Sequence, residues 1–306
     1  MVKRLWSAFR HYIGVLFIYI QMRYCFSGHE SFHCRSLWLK KGYDFLKNGN
    51  AFKSPEAVVR LGVGKNMVSS IRYWMKAFGL TINDTPTELA HYLFDKDSGV
   101  DSYLEDINTL WLLHYNLVSG NVASLYNLLF LEFQREKKEF DKSTLQSFIK
   151  RKCSVPEQKN VYNENTVKKD INVLLQNYVM PSSLKSIEDF SALLINLNLI
   201  LQLSQSKLDK SDGYYFNEII ATKIAPSIIL YALIDLKGDD NTVSFDKLKE
   251  LSLIFCMSVP ELVEILKDIE NQYPNVHYTD NSGIKNVQFT GELNKFVVLN
   301  NYYNTL

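Results

Sequence analysis

Histidine occurs six times in 306 residues, and two of the six fall within the short stretch FSGHESFHCRS, residues 26 to 36. His29 beside Glu30 sets an imidazole that titrates near neutral pH next to a carboxylate that can orient or charge it. That pair suits general acid or base work, or the holding of one metal ion. Arg35, with Lys40 or Lys41, could bind a phosphate and stabilise charge developing on it. Gly28 permits a backbone conformation that other residues avoid, so a turn there would present His29 and Glu30 together. The same residue types also make a polar structural seam among Phe26, Phe32, Leu37, Trp38 and Phe45, or bind DNA or a substrate without catalysis. The residues themselves leave these three readings open.

Two other places carry ionisable side chains. The acidic loop with Asp95, Asp97, Asp101, Glu105 and Asp106 offers oxygen ligands to a divalent ion such as magnesium or manganese. Its spacing departs from an EF-hand loop, and a solvated loop is the expectation. His114 lies on an apolar helix and is expected to be a hydrogen-bonded core histidine. The chain has no GxxxxGK[ST], GxSxG, GxGxxG or HExxH motif. ATPase, α/β-hydrolase, nucleotide-cofactor and common zinc-protease chemistry therefore lose support, and no nucleotide cofactor is expected.

Three helix-turn-helix patterns must position these groups. In residues 54 to 80, Ser54 and Pro55 predict a helix start, Gly62-Val63-Gly64 a break, and a second helix comes after it. That helix turns Met67, Val68, Ile71, Trp74, Met75 and Phe78 inward and Lys65, Asn66, Ser69, Arg72 and Lys76 outward. Residues 51 to 80 hold five basic residues and one acid, a local net of +4, so the outer face is expected to contact DNA phosphates. A weaker copy runs over Thr144 to Lys152 and then a helix capped by Asn163 or Asn165, buried through Val167, Ile171, Leu174, Leu175 and Tyr178. Its Lys168, Lys169 and Asn172 face outward as a second phosphate-contacting surface. The third unit has a helix from Phe245, another from Val259 or Pro260, and a hairpin tipped by Asn281-Ser282-Gly283, a winged-helix signature. Residues 239 to 300 contain ten acids and five lysines, a net of −5, which favours docking of protein over DNA.

The expected fold is therefore mainly α, with tandem winged-helix or helix-turn-helix-like units and small β-wings. The chain divides into residues 1–21, read as an N-terminal extension ahead of a start at Met22, then 22–135, 136–205 and 206–306. Hydrophobic residues make up 46% of the whole, enough for filled cores, while Lys plus Arg at 34 and Asp plus Glu at 33 leave the total nearly neutral. Cys25, Cys34, Cys153 and Cys256 form no CxxC pair, which argues against a zinc site and a disulfide framework and makes a reducing cytoplasm the default. The apolar run Tyr12 to Ile20 is too short to span a bilayer, and no membrane association is expected.

The motifs FSGHESF, RSLWLKKGYDFL, AVVRLGVGKNMVSSIRYWMKAFGL, TELAHYLF, YLEDINTLWLLHYNL and NENTVKKDINVLLQNYV together resemble a bacterial family of unknown-function domains. That family accompanies DNA phosphorothioation and phage-defence genes, and the likeness is to its SspB-type component. The resemblance is specific from Phe26 to Tyr178 and looser to the C-terminus. It implies a DNA-acting subunit that nicks DNA so that sulfur can enter the backbone, working with a cysteine desulfurase, a sulfurtransferase and an ATPase. On the matched motif, His29 is the candidate base or metal ligand, Glu30 the orienter or ligand, and Arg35 the phosphate clamp. The alternative is a non-catalytic DNA-binding adaptor or regulator in a defence operon.

Overall fold

The computed structural model describes residues 23–306 apart from 121, 159, 182–190, 204–212, 282–283 and 306. The reading of residues 1–21, and the hairpin tip at Ser282 and Gly283, lie outside the described residues. The chain is mainly α-helical with small antiparallel sheets, as the sequence predicts.

Helix α1 (Trp38–Lys47) buries Trp38, Leu39 and Tyr43 along one face. The next helix, α2 (Ala57–Leu61), is shorter than Ser54 and Pro55 lead one to expect. Ala57 N–H bonds to the Ser54 carbonyl at 3.1 Å, so those residues form a tight turn and the α-helix opens only after it. Gly62 closes α2 at φ +61 with open space where a Cβ would stand, so the backbone conformation selects glycine there, not crowding. Helix α3 (Lys65–Ala77) buries Val68, Ile71, Trp74 and Met75. A two-strand hairpin comes next, β1 (Thr81–Ile82) and β2 (Thr85–Pro86), turned by Asn83 and Asp84 at φ +52 and +63. Two left-handed residues are what a two-residue turn needs to match strand twist, and Asn and Asp tolerate them best.

Helix α4 (Glu88–Phe94) is capped by Thr87, and α5 (Ile107–Ser119) by Asp106, whose carboxylate accepts the Asn108 and Thr109 N–H groups. Helix α6 (Ser124–Asn127) runs on into a π-helical stretch, Leu128–Phe133. Strand β3 (Glu139–Phe140), helix α7 (Lys142–Lys152), helix α8 (Glu164–Tyr178) and strands β4 (Ile200–Gln202) and β5 (Tyr214–Phe216) complete the middle of the chain, with sheet order β3-β5-β4. Of the two caps the sequence offers, Asn163 and Asn165, it is Asn163 that caps α8, accepting from Thr166 N–H at 3.0 Å.

The last third runs α9 (Pro226–Lys237), β6 (Thr242–Ser244), α10 (Phe245–Ile254), α11 (Val259–Gln272), β7 (Val276–Asn281), β8 (Ile284–Phe289) and α12 (Lys295–Tyr303), with sheet order β6-β8-β7. His114 on α5 ties these parts together: it accepts from the Tyr178 hydroxyl at 2.8 Å and donates to the Ile254 carbonyl at 2.7 Å. It is a fully buried core histidine, as its apolar helix suggests.

Candidate nucleic-acid interface

Residues 24 to 34 form no regular element, so their backbone N–H groups need other partners. Side chains far along the chain supply them. Tyr24 N–H bonds to Gln158 at 2.9 Å, Cys25 to the Ser124 hydroxyl at 2.8 Å, Ser27 to Asp170 at 2.7 Å and Cys34 to Asn177 at 3.0 Å. Ser27, Gly28, Glu30 and Ser31 all take positive φ. For the three that are not glycine this costs about 1–3 kcal/mol each, so the surrounding bonds must hold the turn in place.

His29 sits at the centre of that turn, 4% exposed. Its Nε2 lies 2.9 Å from Asp170 Oδ1, and its Nδ1 accepts the Ser31 N–H at 3.1 Å. With Nδ1 occupied as an acceptor, the proton belongs on Nε2 and points at Asp170. The Trp74 ring stacks on the imidazole at 6.1 Å between centroids, and the Tyr73 ring meets it edge-on at 5.7 Å. Helix α3 therefore covers one side of His29 and helix α8 supplies its carboxylate.

Gly28, one residue earlier, opens onto the surface. At φ +104, a Cβ there would come within 2.6 Å of the Tyr73 ring. Gly28 and Tyr73 thus form one wall of a cleft of about 340 Å³, with Ser69, Arg72 and Lys76 of α3 on one side and Thr81, Asn83 and Asp84 of the hairpin on the other. Three of the outward residues of α3 and the family-motif glycine share this cleft. Arg72 Nε donates to Asp84 Oδ1 at 2.7 Å, and this bond holds the guanidinium above its ordinary pKa. Burial, reinforced by the charges of Asp170 and Cys25, pushes the Tyr73 phenol far above its usual range, so its hydroxyl remains a donor.

The other sequence candidates are spread over several elements. Lys65, Asn66, Ser69 and Lys76 lie on the outer side of α3, and Lys168, Lys169 and Asn172 are exposed on α8. Lys168 pairs with Glu164 at 2.7 Å. Glu30 is exposed, and the carboxylate that faces His29 is Asp170. Arg35 is half-buried, its guanidinium 5.4 Å from the Trp38 ring centroid. Among the described residues no hydrogen bond or ion pair joins Glu30 or Arg35 to His29, so the structure does not gather the three into one hydrogen-bonded set. The acidic loop uses Asp95 to pair with Lys47 and Asp106 to cap α5. Among the described residues no three His, Cys, Asp or Glu side chains come together to hold a metal ion.

Asp170, Tyr73, Thr81 and Asp84 escape sequence reading. Asp170 left one trace: it lies three residues after Val167 and one before Ile171, on the buried stripe of α8, where a lone carboxylate requires a partner.

The match to a family model runs from residue 26 to residue 303, and the chain belongs to the DUF4007 family, described as a protein of unknown function. Among solved structures the chain is similar to a magnesium ion-bound crystal structure of SspB, at 28% identity and a TM-score of 0.78 over 91% of this chain and 88% of that one. A second SspB crystal structure matches at 27% identity and a TM-score of 0.76, with the same coverage of 91% and 88%. The likeness drawn from the motifs to an SspB-type component is thereby borne out. No curated protein matches the chain. Among the described residues no helix is long and apolar enough to cross a membrane.

Proposed function

We propose that this chain is a DNA-binding component of a bacterial phosphorothioation and phage-defence system. One observation carries the reading: Gly28 of the family motif and Ser69, Arg72 and Lys76 of helix α3 line the same cleft. Helix α2, the Gly62 turn, helix α3 and the hairpin β1–β2 then act as a small winged-helix unit whose cations meet the sugar–phosphate backbone, with Lys65 and Asn66 further along the same face. Lys168, Lys169 and Asn172 on α8 supply a second contact, and the acidic last third docks partner proteins, for which a cysteine desulfurase, a sulfurtransferase and an ATPase are the candidates. His29 serves in this reading as the buried strut between α3 and α8.

A nicking activity is the second reading, supported by the magnesium ion bound to the similar SspB. The described residues do not fit a preformed metal site, so no metal-dependent step is assigned to any of them. Titration of purified protein into a fluorescent duplex, followed by anisotropy at several salt concentrations, tests binding; salt-insensitive or absent binding overturns it. Incubation of supercoiled plasmid with the protein and magnesium or manganese tests nicking. Conversion to the relaxed form by wild-type protein supports the second reading, and intact plasmid rejects it.

A further inference from the structure

The cleft between α3 and the hairpin carries more positive than negative charge and an unused hydroxyl donor, a lining that suits an anionic ligand. Arg72 and Lys76 face into it against one acid, Asp84, and Lys76 has no ion-pair partner among the described residues. Thr81 lies on the cleft wall, 4% exposed, and its hydroxyl makes no hydrogen bond to any described residue. A hydroxyl on a cleft wall whose donor no protein group uses can offer it to an acceptor inside the cleft. Two cations and the Thr81 hydroxyl around a volume of about 340 Å³ make a seat for a small oxyanion.

Within the cleft, Arg72 is held by an ion pair with Asp84. Asp84 stands at the hairpin tip and takes Arg72 at 2.7 Å, tying the hairpin to the helix. Its side chain presents to the guanidinium what a phosphate oxygen would present. We propose that this cleft seats one phosphodiester group of a DNA backbone, and that Asp84 holds Arg72 in its place until that group displaces it. The inference rests on the DNA-binding reading and sharpens it: most of α3 grips in general, while this cleft fixes register by holding a single phosphate. A chain phosphate fits better than a free anion, because Lys65 and Asn66 extend the same helix face to where neighbouring phosphates would lie.

The test compares full-length wild type with Asp84→Asn, Thr81→Val and Lys65→Ala, each first shown to melt as a folded protein. Asn is at ease at the positive φ of Asp84, and Val matches Thr in shape. The probes are a short fluorescent duplex and inorganic phosphate as a competitor. Asp84→Asn is expected to tighten duplex binding about three- to tenfold, because it removes the competing charge and keeps an oxygen for Arg72. Thr81→Val is expected to weaken binding about three- to tenfold while leaving the salt dependence unchanged, since it removes a neutral donor. If Lys65→Ala weakens binding while Asp84→Asn and Thr81→Val change nothing, the phosphate seat is wrong and the DNA-binding reading stands. If wild type binds no duplex, both fall. Competition by inorganic phosphate as effective as that by unlabelled duplex, mole for mole, assigns the cleft to a free anion and overturns the phosphodiester.

Discussion

His29 Nε2 and Asp170 Oδ1 lie 2.9 Å apart, both buried, across 141 positions of sequence. Asp170 also takes the Ser27 N–H at 2.7 Å, so one carboxylate fixes both the histidine and the turn that carries it. Removing either partner strands a buried polar group. Asp170→Ala is expected to destabilise the fold by about 3 kcal/mol, and His29→Ala by a similar amount. The double variant should cost less than the two singles combined, because each single removes the same interaction. Urea melts of the four proteins check this. An additive pair would show that the two residues do not act together. The result also governs how any loss of activity in His29→Ala is read, since a collapsed turn would abolish binding without any role in chemistry.

Gly28 is required twice, by its backbone angle and by the Tyr73 ring. Gly28→Ala is expected to cost more than about 2 kcal/mol, combining strain at positive φ with a collision against an aromatic ring. The two causes separate in the variant Gly28→Ala with Tyr73→Ala. Removing the ring relieves the collision and leaves the strain, so the penalty of Gly28→Ala in that background should fall by half or more. An unchanged penalty would mean that backbone conformation alone demands the glycine.

Local periodicity makes helix α3 readable: Val68, Ile71, Trp74 and Met75 are buried and Lys65, Asn66, Ser69 and Lys76 exposed, because a period of 3.6 sorts faces without knowledge of the rest of the fold. Gly62 is readable as a local break in Gly62-Val63-Gly64, and the start of α8 is readable to within the choice of Asn163 or Asn165 as its cap. The neighbours of His29 are not. Its carboxylate comes from α8 and its stacking ring from α3, and nothing in the FSGHE stretch encodes which distant helix will close over it. Glu30 is adjacent in sequence and yet exposed, because the left-handed turn at Glu30 and Ser31 sends successive side chains in different directions. The Arg72–Asp84 pair spans only twelve positions, but depends on a two-residue turn whose hand sets where Asp84 points.

Salt dependence separates the two cationic faces. Loss of one phosphate contact is expected to lower the slope of log affinity against log salt by about 0.9. Lys65→Ala and Lys76→Ala should each do so, since neither lysine has an ion-pair partner among the described residues. Lys168 is partly neutralised by Glu164 at 2.7 Å, so Lys168→Ala should change the slope less, and Glu164→Gln should strengthen binding. Anisotropy titrations over a range of salt measure all four. Equal slope changes at Lys76 and Lys168 would show that Glu164 does not compete with DNA.

His114 provides a handle on acid stability that is independent of DNA. Burial pushes its pKa down to about 4, against a smaller upward pull from the Ile254 carbonyl, because the ring is enclosed by Trp111, Phe130, Tyr178 and Phe255. Its unfolded value is 6.5, so below that pH the unfolded chain binds a proton that the folded chain refuses. The neutral ring's contribution is therefore complete above pH 6.5 and is lost as pH falls towards 4, by roughly 3 kcal/mol over that window. His114→Gln keeps a donor and an acceptor but cannot take up a proton. Its stability at pH 7.5 should be lower than that of wild type, since the amide fits the aromatic cage less well, and its further loss between pH 6.5 and 4 should be smaller by the same 3 kcal/mol or so. Urea melts of both proteins across that range decide the matter: identical acid losses would mean that His114 stays neutral in the unfolded chain too, or that the folded protein admits its charge.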